Sequence, residues 1–112
     1  MALYMTKIKY TGDAIKDIAE SGSNREEVVG ALIEKCGGKL INFYGMIGQE
    51  HHIILITEFD NLSNYMGMVL SGAVGGAVAD WKTIQLYTAD DMMSATETYR
   101  ANKGSYSPPP NS

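Results

Sequence analysis

His51 and His52 stand side by side in the 112-residue chain, with Glu50 before them. Imidazoles can ligate a metal or serve as a general base, because their pKa lies near neutrality. Neighbours on an extended strand point to opposite faces, so one metal cannot take both rings without distortion. No His-x-His, His-x-x-x-His or Cys-x-x-Cys spacing occurs. A metal would need Glu50 or a second copy to complete its ligands, and no metal site is expected. Cys36, the single cysteine, closes an apolar helical stripe. The helix dipole there opposes a thiolate, so Cys36 reads as a packing thiol.

The stretch from Gly67 to Gly76 is glycine-rich but lacks the Lys-Ser/Thr pair of a phosphate loop. It falls within a helix or at its end, where neither a phosphate loop nor a dinucleotide fingerprint belongs. No cofactor is expected. Asp90-Asp91 is the acidic first turn of a helix and not a catalytic carboxylate pair. Among the seven tyrosines and single tryptophan, Tyr44 and Trp81 are the aromatics to watch, and with His52 they form the expected ligand-contacting set. Interface or core packing is the competing use of such side chains. Were the chain an enzyme, His51 or His52 would be its base and Tyr44 or Trp81 a wall of its site.

The elements that must position these residues follow from polarity and punctuation. Residues 2–10 read as a strand, and 13–20 as a short helix with Ile15, Ile18 and Ala19 on one side. Ser23 with Glu26 forms a capping-box pattern for a helix over 24–36, closed by Gly37 as a left-handed cap. Residues 39–47 and 51–59 are two strands joined by a tight Gly48-Gln49-Glu50 connection. Asp60 or Asn61 caps a helix running to about Gly76. Its glycines each cost up to about 1 kcal/mol relative to alanine, so something must approach it closely. Residues 78–87 form the fourth strand, and Thr88 with Asp91 caps a last helix from 89 to about 100. The order is the ferredoxin-like βαββαβ: an α+β fold with a four-stranded antiparallel sheet, helices on one face and an extra C-terminal helix. Residues 1–101 are expected as one domain, and 102–112, with Pro108-Pro109-Pro110, as an extended tail.

A single sheet of this kind leaves one face without helices, and a solvated face would be polar at every second residue. In the third strand His51, Ile53, Leu55, Thr57 and Phe59 alternate with His52, Ile54, Ile56 and Glu58. In the second, Ile41, Phe43 and Ile47 oppose Leu40, Tyr44 and Met46. Both faces carry large apolar residues, each contributing about 1.5–3 kcal/mol when buried. A second copy packed sheet to sheet resolves this, and the expected assembly is a dimeric α/β barrel. The register does not fix whether Tyr44 and His52 share a face.

The first strand ends in Tyr10-Thr11, Gly37-Gly38-Lys39-Leu40 precedes Phe43-Tyr44, and Gly48 precedes an isoleucine-rich strand. With Ala89-Asp90-Asp91-Met92 and Ser105-Tyr106-Ser107-Pro108-Pro109, these segments resemble the GYD domain family over nearly all of residues 2–110. The family takes its name from a Gly-Tyr-Asp signature at the hairpin, where this chain has Gly48 with Glu50 and His51. The resemblance implies a ferredoxin-like fold among the dimeric α/β barrels and no particular activity.

Composition bounds the rest. A net charge of −4 with scattered lysines argues against a nucleic-acid footprint. The longest uncharged run, Asn61 to Ala79, is too polar for a membrane span. No basic leader precedes an apolar stretch, and a single cysteine fits a reducing, cytoplasmic setting. The reading is a non-enzymatic homo-oligomeric assembly or small-ligand-binding module, whose partners are further copies of itself and a small apolar ligand. The alternative is a cofactor-free barrel enzyme, monooxygenase- or isomerase-like, acting on a small aromatic or carbonyl compound. That alternative rests on fold analogy.

Overall fold

β1 (Ala2–Tyr10) buries every second residue: Tyr4, Thr6, Ile8 and Tyr10 are buried, while Leu3, Met5, Lys7 and Lys9 are half-buried. β3 (Ile53–Phe59) repeats the pattern, with Ile53, Leu55, Thr57 and Phe59 inward and Ile54, Ile56 and Glu58 half-buried. The strands pair antiparallel, Thr6 opposite Leu55 and Ile8 opposite Ile53, which aligns the buried rows on one face. β4 (Val78–Leu86) pairs with the other edge of β1, and β2 (Gly38–Gly45) with the other edge of β3. The resulting order β2-β3-β1-β4, with helical crossovers, is the ferredoxin-like arrangement. The computed structural model describes residues 1–110.

Four helices complete the described residues. α1 (Gly12–Ser21) is capped by the Thr11 side chain, which accepts from the Ala14 N–H. α2 (Arg25–Lys35) is capped by Asn24, accepting from the Glu27 N–H at 3.4 Å, so the cap falls one residue beyond the expected Ser23. α3 (Leu62–Val74) is capped by Asn61. α4 (Ala89–Ala101) begins with the full Thr88–Asp91 capping box. Gly37 adopts φ +83°, the left-handed conformation that ends α2. Gly38 then lies directly against the Phe59 ring, where any side chain would collide.

The core lies between the sheet and the helices. Ile33 of α2 meets Tyr4, Phe59, and Tyr65 and Met68 of α3. Tyr65 stacks on Tyr4 at 4.2 Å between ring centroids. Its hydroxyl joins two strands, lying 2.7 Å from Thr6 Oγ1 and 2.6 Å from Thr83 Oγ1. That chain satisfies the polar groups of two fully buried positions and the sheet edge beyond them.

The structure departs from the sequence reading in two places that matter. β2 ends at Gly45 and β3 begins at Ile53, so residues 46–52 form the connection and Ile47 is 99% exposed in it. A bulge between Leu40 and Asn42 turns Leu40 and Phe43 to the same, helix-covered side, opposite Thr57 and Leu55. Strict alternation through Ile41 had separated them. Beyond α4, residues 102–110 contain turns but neither helix nor strand, and the last two residues of the expected tail lie outside the described residues.

Candidate functional site

The helix-free face of the sheet gathers the residues that β1 and its neighbours turn away from the core. Residues directly opposite in an antiparallel pair share a face. Met5 therefore lies beside Ile84, Lys7 beside Lys82, and Lys9 beside Asp80. On the other side Met5 faces Ile56 and Lys7 faces Ile54, with Tyr44 next to Ile54 across β2. The centre of this face is apolar, and one end of it is charged.

His51 closes the charged end. It is 6% exposed, and its Nε2 lies 2.6 Å from Asp80 Oδ2. With Nε2–H donating to the carboxylate, Nδ1 is the ring nitrogen left to accept a proton. Hydrogen bonding from His51 holds the Asp80 carboxyl below its ordinary value of 3.8, with smaller help from the Trp81 backbone and the charges of His51 and Lys82. Lys7, Met46, Gln49, Glu50 and His51 line a cavity of about 190 Å³ beside the pair. A histidine oriented by a carboxylate is the arrangement that general-base chemistry uses, and it is equally a structural ion pair.

His52 does something different. Its Nδ1 accepts from the Tyr10 backbone N–H at 2.9 Å, and its ring stacks on that of Tyr10 with centroids 6.1 Å apart. The proton of the neutral ring therefore sits on Nε2, and the side chain completes the ladder where β1 ends. Simple alternation had grouped His51 with Ile53 and His52 with Ile54. Because both histidines precede the first residue of β3, the connection reverses them, and His51 reaches the helix-free face.

The other expected residues scatter. Tyr44 is 60% exposed on the helix-free face, and its hydroxyl accepts from Asn42 Nδ2 at 3.2 Å. Trp81 stands opposite Ile8, on the helix-covered face, packed against both buried clusters. Tyr44 and Trp81 are thus on opposite sides of the sheet, and His52 is held at the end of β1. The three are not brought together. Cys36 is a free, half-buried thiol packed against the Ile33 cluster. Gly72 of the glycine-rich helix approaches Trp81 so closely that a Cβ would meet its ring at 2.9 Å, which is the close packing the glycines called for. Asp90 and Asp91 are the exposed first turn of α4. Among the described residues no three His, Cys, Asp or Glu side chains come together as a metal-binding group. Among the described residues no helix is long and apolar enough to cross a membrane.

Asp80 is the residue the sequence reading missed. Its signal was available: Asp80, Lys82 and Ile84 alternate against Trp81 and Thr83, placing one carboxylate on the outward side of a mostly apolar strand.

Comparison with known proteins follows the fold. No curated protein matches the chain. Among solved structures, it is similar to the transcriptional regulator NMB0573 of Neisseria meningitidis in complex with L-Met. The TM-score is 0.52 with 14% identity over 79% of this chain, which spans only 51% of that one. TTHA0845 of Thermus thermophilus gives 0.51 with 16% identity, covering 80% of this chain and 96% of the other. An uncharacterised NIPSNAP domain protein of Burkholderia xenovorans gives 0.51 with 11% identity, covering 80% and 95%. At these identities the likeness is one of fold. In sequence, the model of the GYD domain matches residues 4–96. With most of its length matched and the topology in place, the chain belongs to the GYD domain family.

Proposed function

We propose that the chain is a homodimeric assembly module that closes its helix-free sheet face against a second copy and can hold a small ligand. The observation that carries this reading is the apolar centre of that face: Met5, Ile54, Ile56 and Ile84 on three adjacent strands, with Ile84 41% exposed. Surface area points the same way. A monomer of 12.2 kDa has about 6,100 Å² of accessible surface, whereas this chain has 7801 Å². The excess, about 1,700 Å², exceeds the roughly 800 Å² that a standard interface takes from each partner. α4 supplies part of it, burying none of its residues and leaving Met92, Met93 and Tyr99 exposed. The single, half-buried cysteine fits a reducing cytoplasmic setting for such a module.

A charged residue in the centre of the face tests the reading. Ile54→Lys places an ammonium beside Lys7 and Tyr44 without touching the core. The expected outcome is a folded monomer, with unchanged far-UV circular dichroism and half the native mass. An unchanged oligomeric state would remove the face from the interface.

The His51–Asp80 pair favours a second reading, a cofactor-free enzyme whose base is His51 Nδ1 within the closed barrel. It requires a pocket between the two copies beside Lys7 and Glu50. His51→Ala would then abolish turnover of a small carbonyl or aromatic substrate while the dimer persists.

A further inference from the structure

On the opposite, helix-covered side of the sheet, a cavity of about 290 Å³ lies between the sheet, α2 and α3. At one end of the helix pair, Ile33 of α2 meets Tyr65 and Met68 of α3. Beyond Met68, α3 contributes only Ser71, Gly72 and Gly75 to the wall, so no large α3 side chain fills the gap toward Val28 and Val29. Gly72 is required there, because a Cβ would meet the Trp81 ring at 2.9 Å. Gly75 is not: a Cβ on it would meet only carbonyl oxygens of its own turn, those of Gly72 at 3.4 Å and Ser71 at 3.8 Å. The space beside Gly75 is therefore left open by the sequence and is not imposed by a close contact.

What the cavity offers an occupant is carbon. Ile8, Val78 and Trp81 form its floor, and Val28, Val29 and Leu32 its α2 wall. The polar atoms of the larger side chains are turned elsewhere: Tyr10 Oη, Arg25 Nε and Trp81 Nε1 have almost no accessible surface. Apart from Arg25 no charged residue lines the cavity. The Arg25 guanidinium lies over the Tyr10 ring, its carbon 5.9 Å from the ring centre, where the aromatic face receives the charge. The one hydroxyl on the rim, that of Ser71, donates to the Gly67 carbonyl at 2.9 Å. Water is held in a cavity where it finds about two to four polar partners, and this wall supplies few. Poorly held water is displaced by an apolar group with a gain in affinity. An apolar cavity of about 150 Å³ already takes benzene, so one substituted ring or a short alkyl chain fits here. Access is from the α2–α3 side, where Val28 is 50% exposed and Ser71 and Gly75 are exposed.

We propose that this cavity binds a small uncharged, hydrocarbon-like molecule, a substituted ring or an alkyl chain of similar size, packed against Trp81. The site goes beyond the dimer reading and does not rest on it, since every lining residue belongs to one chain and none lies on the helix-free face.

The chain has one tryptophan, so the ring signals of Trp81 report on the cavity without overlap. The full chain, labelled with nitrogen-15 and carbon-13, is titrated with toluene and then with phenol, its isostere with a hydroxyl in place of the methyl group. The expected result is a saturable shift of the Trp81 signals by toluene, with nuclear Overhauser contacts from toluene to Trp81 and to the methyl groups of Val29 and Leu32. Phenol gives up the hydration of its hydroxyl for no partner, and binds at least about ten-fold more weakly. Val29→Phe fills the cavity from α2 and weakens toluene binding at least ten-fold, with circular dichroism and oligomeric state unchanged. No saturable shift with toluene, or phenol binding as tightly as toluene, would overturn the proposal. So would contacts confined to Met5, Ile54 or Ile84 of the helix-free face, or Val29→Phe binding toluene like the parent chain. Should Val29→Phe not fold, the contacts on the unaltered chain decide alone. Sedimentation of the same samples reports the dimer separately, so failure of one reading does not pass for failure of the other.

Discussion

Asp80 and Tyr65 are the two side chains whose removal separates the faces of the sheet. On the helix-free face, Asp80 has its carboxyl lowered mainly by the hydrogen bond from His51. A lowered carboxyl contributes stability that is present above its unfolded value near 4 and is lost as pH falls through the folded value. Asp80→Asn is therefore expected to destabilise the protein at pH 5, and the gap should close as pH falls below about 4. Denaturant melts across that range check it, and a gap that stays constant would show the pair contributes nothing through ionisation. On the covered face, Tyr65→Phe leaves Thr6 and Thr83 without their shared partner. Thr6 is fully buried, so the expected cost is about 1–3 kcal/mol, read from the urea midpoint. At this scale the sequence was only partly legible. Trp81 stood out as an aromatic with a polar tip, but its close approach to Gly72 of α3 did not, because a helix and a strand must pack before the two meet. His51 and His52 were visible as candidates, yet their faces were reversed because they belong to the connection and escape the two-residue period.

Elements were easier to read than the contacts between them. The Thr88–Asp91 box, the Gly37 cap and the alternation of β1 act through neighbours in sequence, and local chemistry suffices to recognise them. The bulge in β2 and the shift of the cap from Ser23 to Asn24 depend on how a strand and a helix are tied to the sheet, which no local pattern records. α3 illustrates both cases. Its glycines looked like a weakness that packing must explain, and they divide into two kinds. At Gly72 a Cβ would meet the Trp81 ring at 2.9 Å, whereas at Gly67 nothing lies within 4 Å. Gly67→Ala should gain up to about 1 kcal/mol of helix propensity. Gly72→Ala gains the same propensity but must displace a packed indole, at an overpacking cost of about 1–3 kcal/mol. The expected result is opposite shifts in melting temperature, with a change in tryptophan emission only for Gly72→Ala. Two stabilised variants would mean that Trp81 moves freely.

The whole molecule is more extended than a chain of its length should be. Its radius of gyration is 18.5 Å, against about 13 Å for a compact chain of 112 residues, and its longest dimension is 61 Å. α4, standing off the body without burying a residue, leaves an apolar stripe of Met92, Ala95 and Tyr99 along one side. The helix-free face adds its isoleucines and methionine. A protein with two such surfaces is expected to cover them, and a second copy is the partner that needs nothing beyond this sequence. The ferredoxin-like topology was legible because strand and helix order alone implies it. The assembly is inferred from both strand faces and from α4, and it is the claim on which the functional reading rests. Sedimentation equilibrium of the unaltered chain from 1 to 100 micromolar tests it most directly. The account predicts a mass of twice the single chain over the upper part of that range. A mass of one chain at every concentration would contradict it.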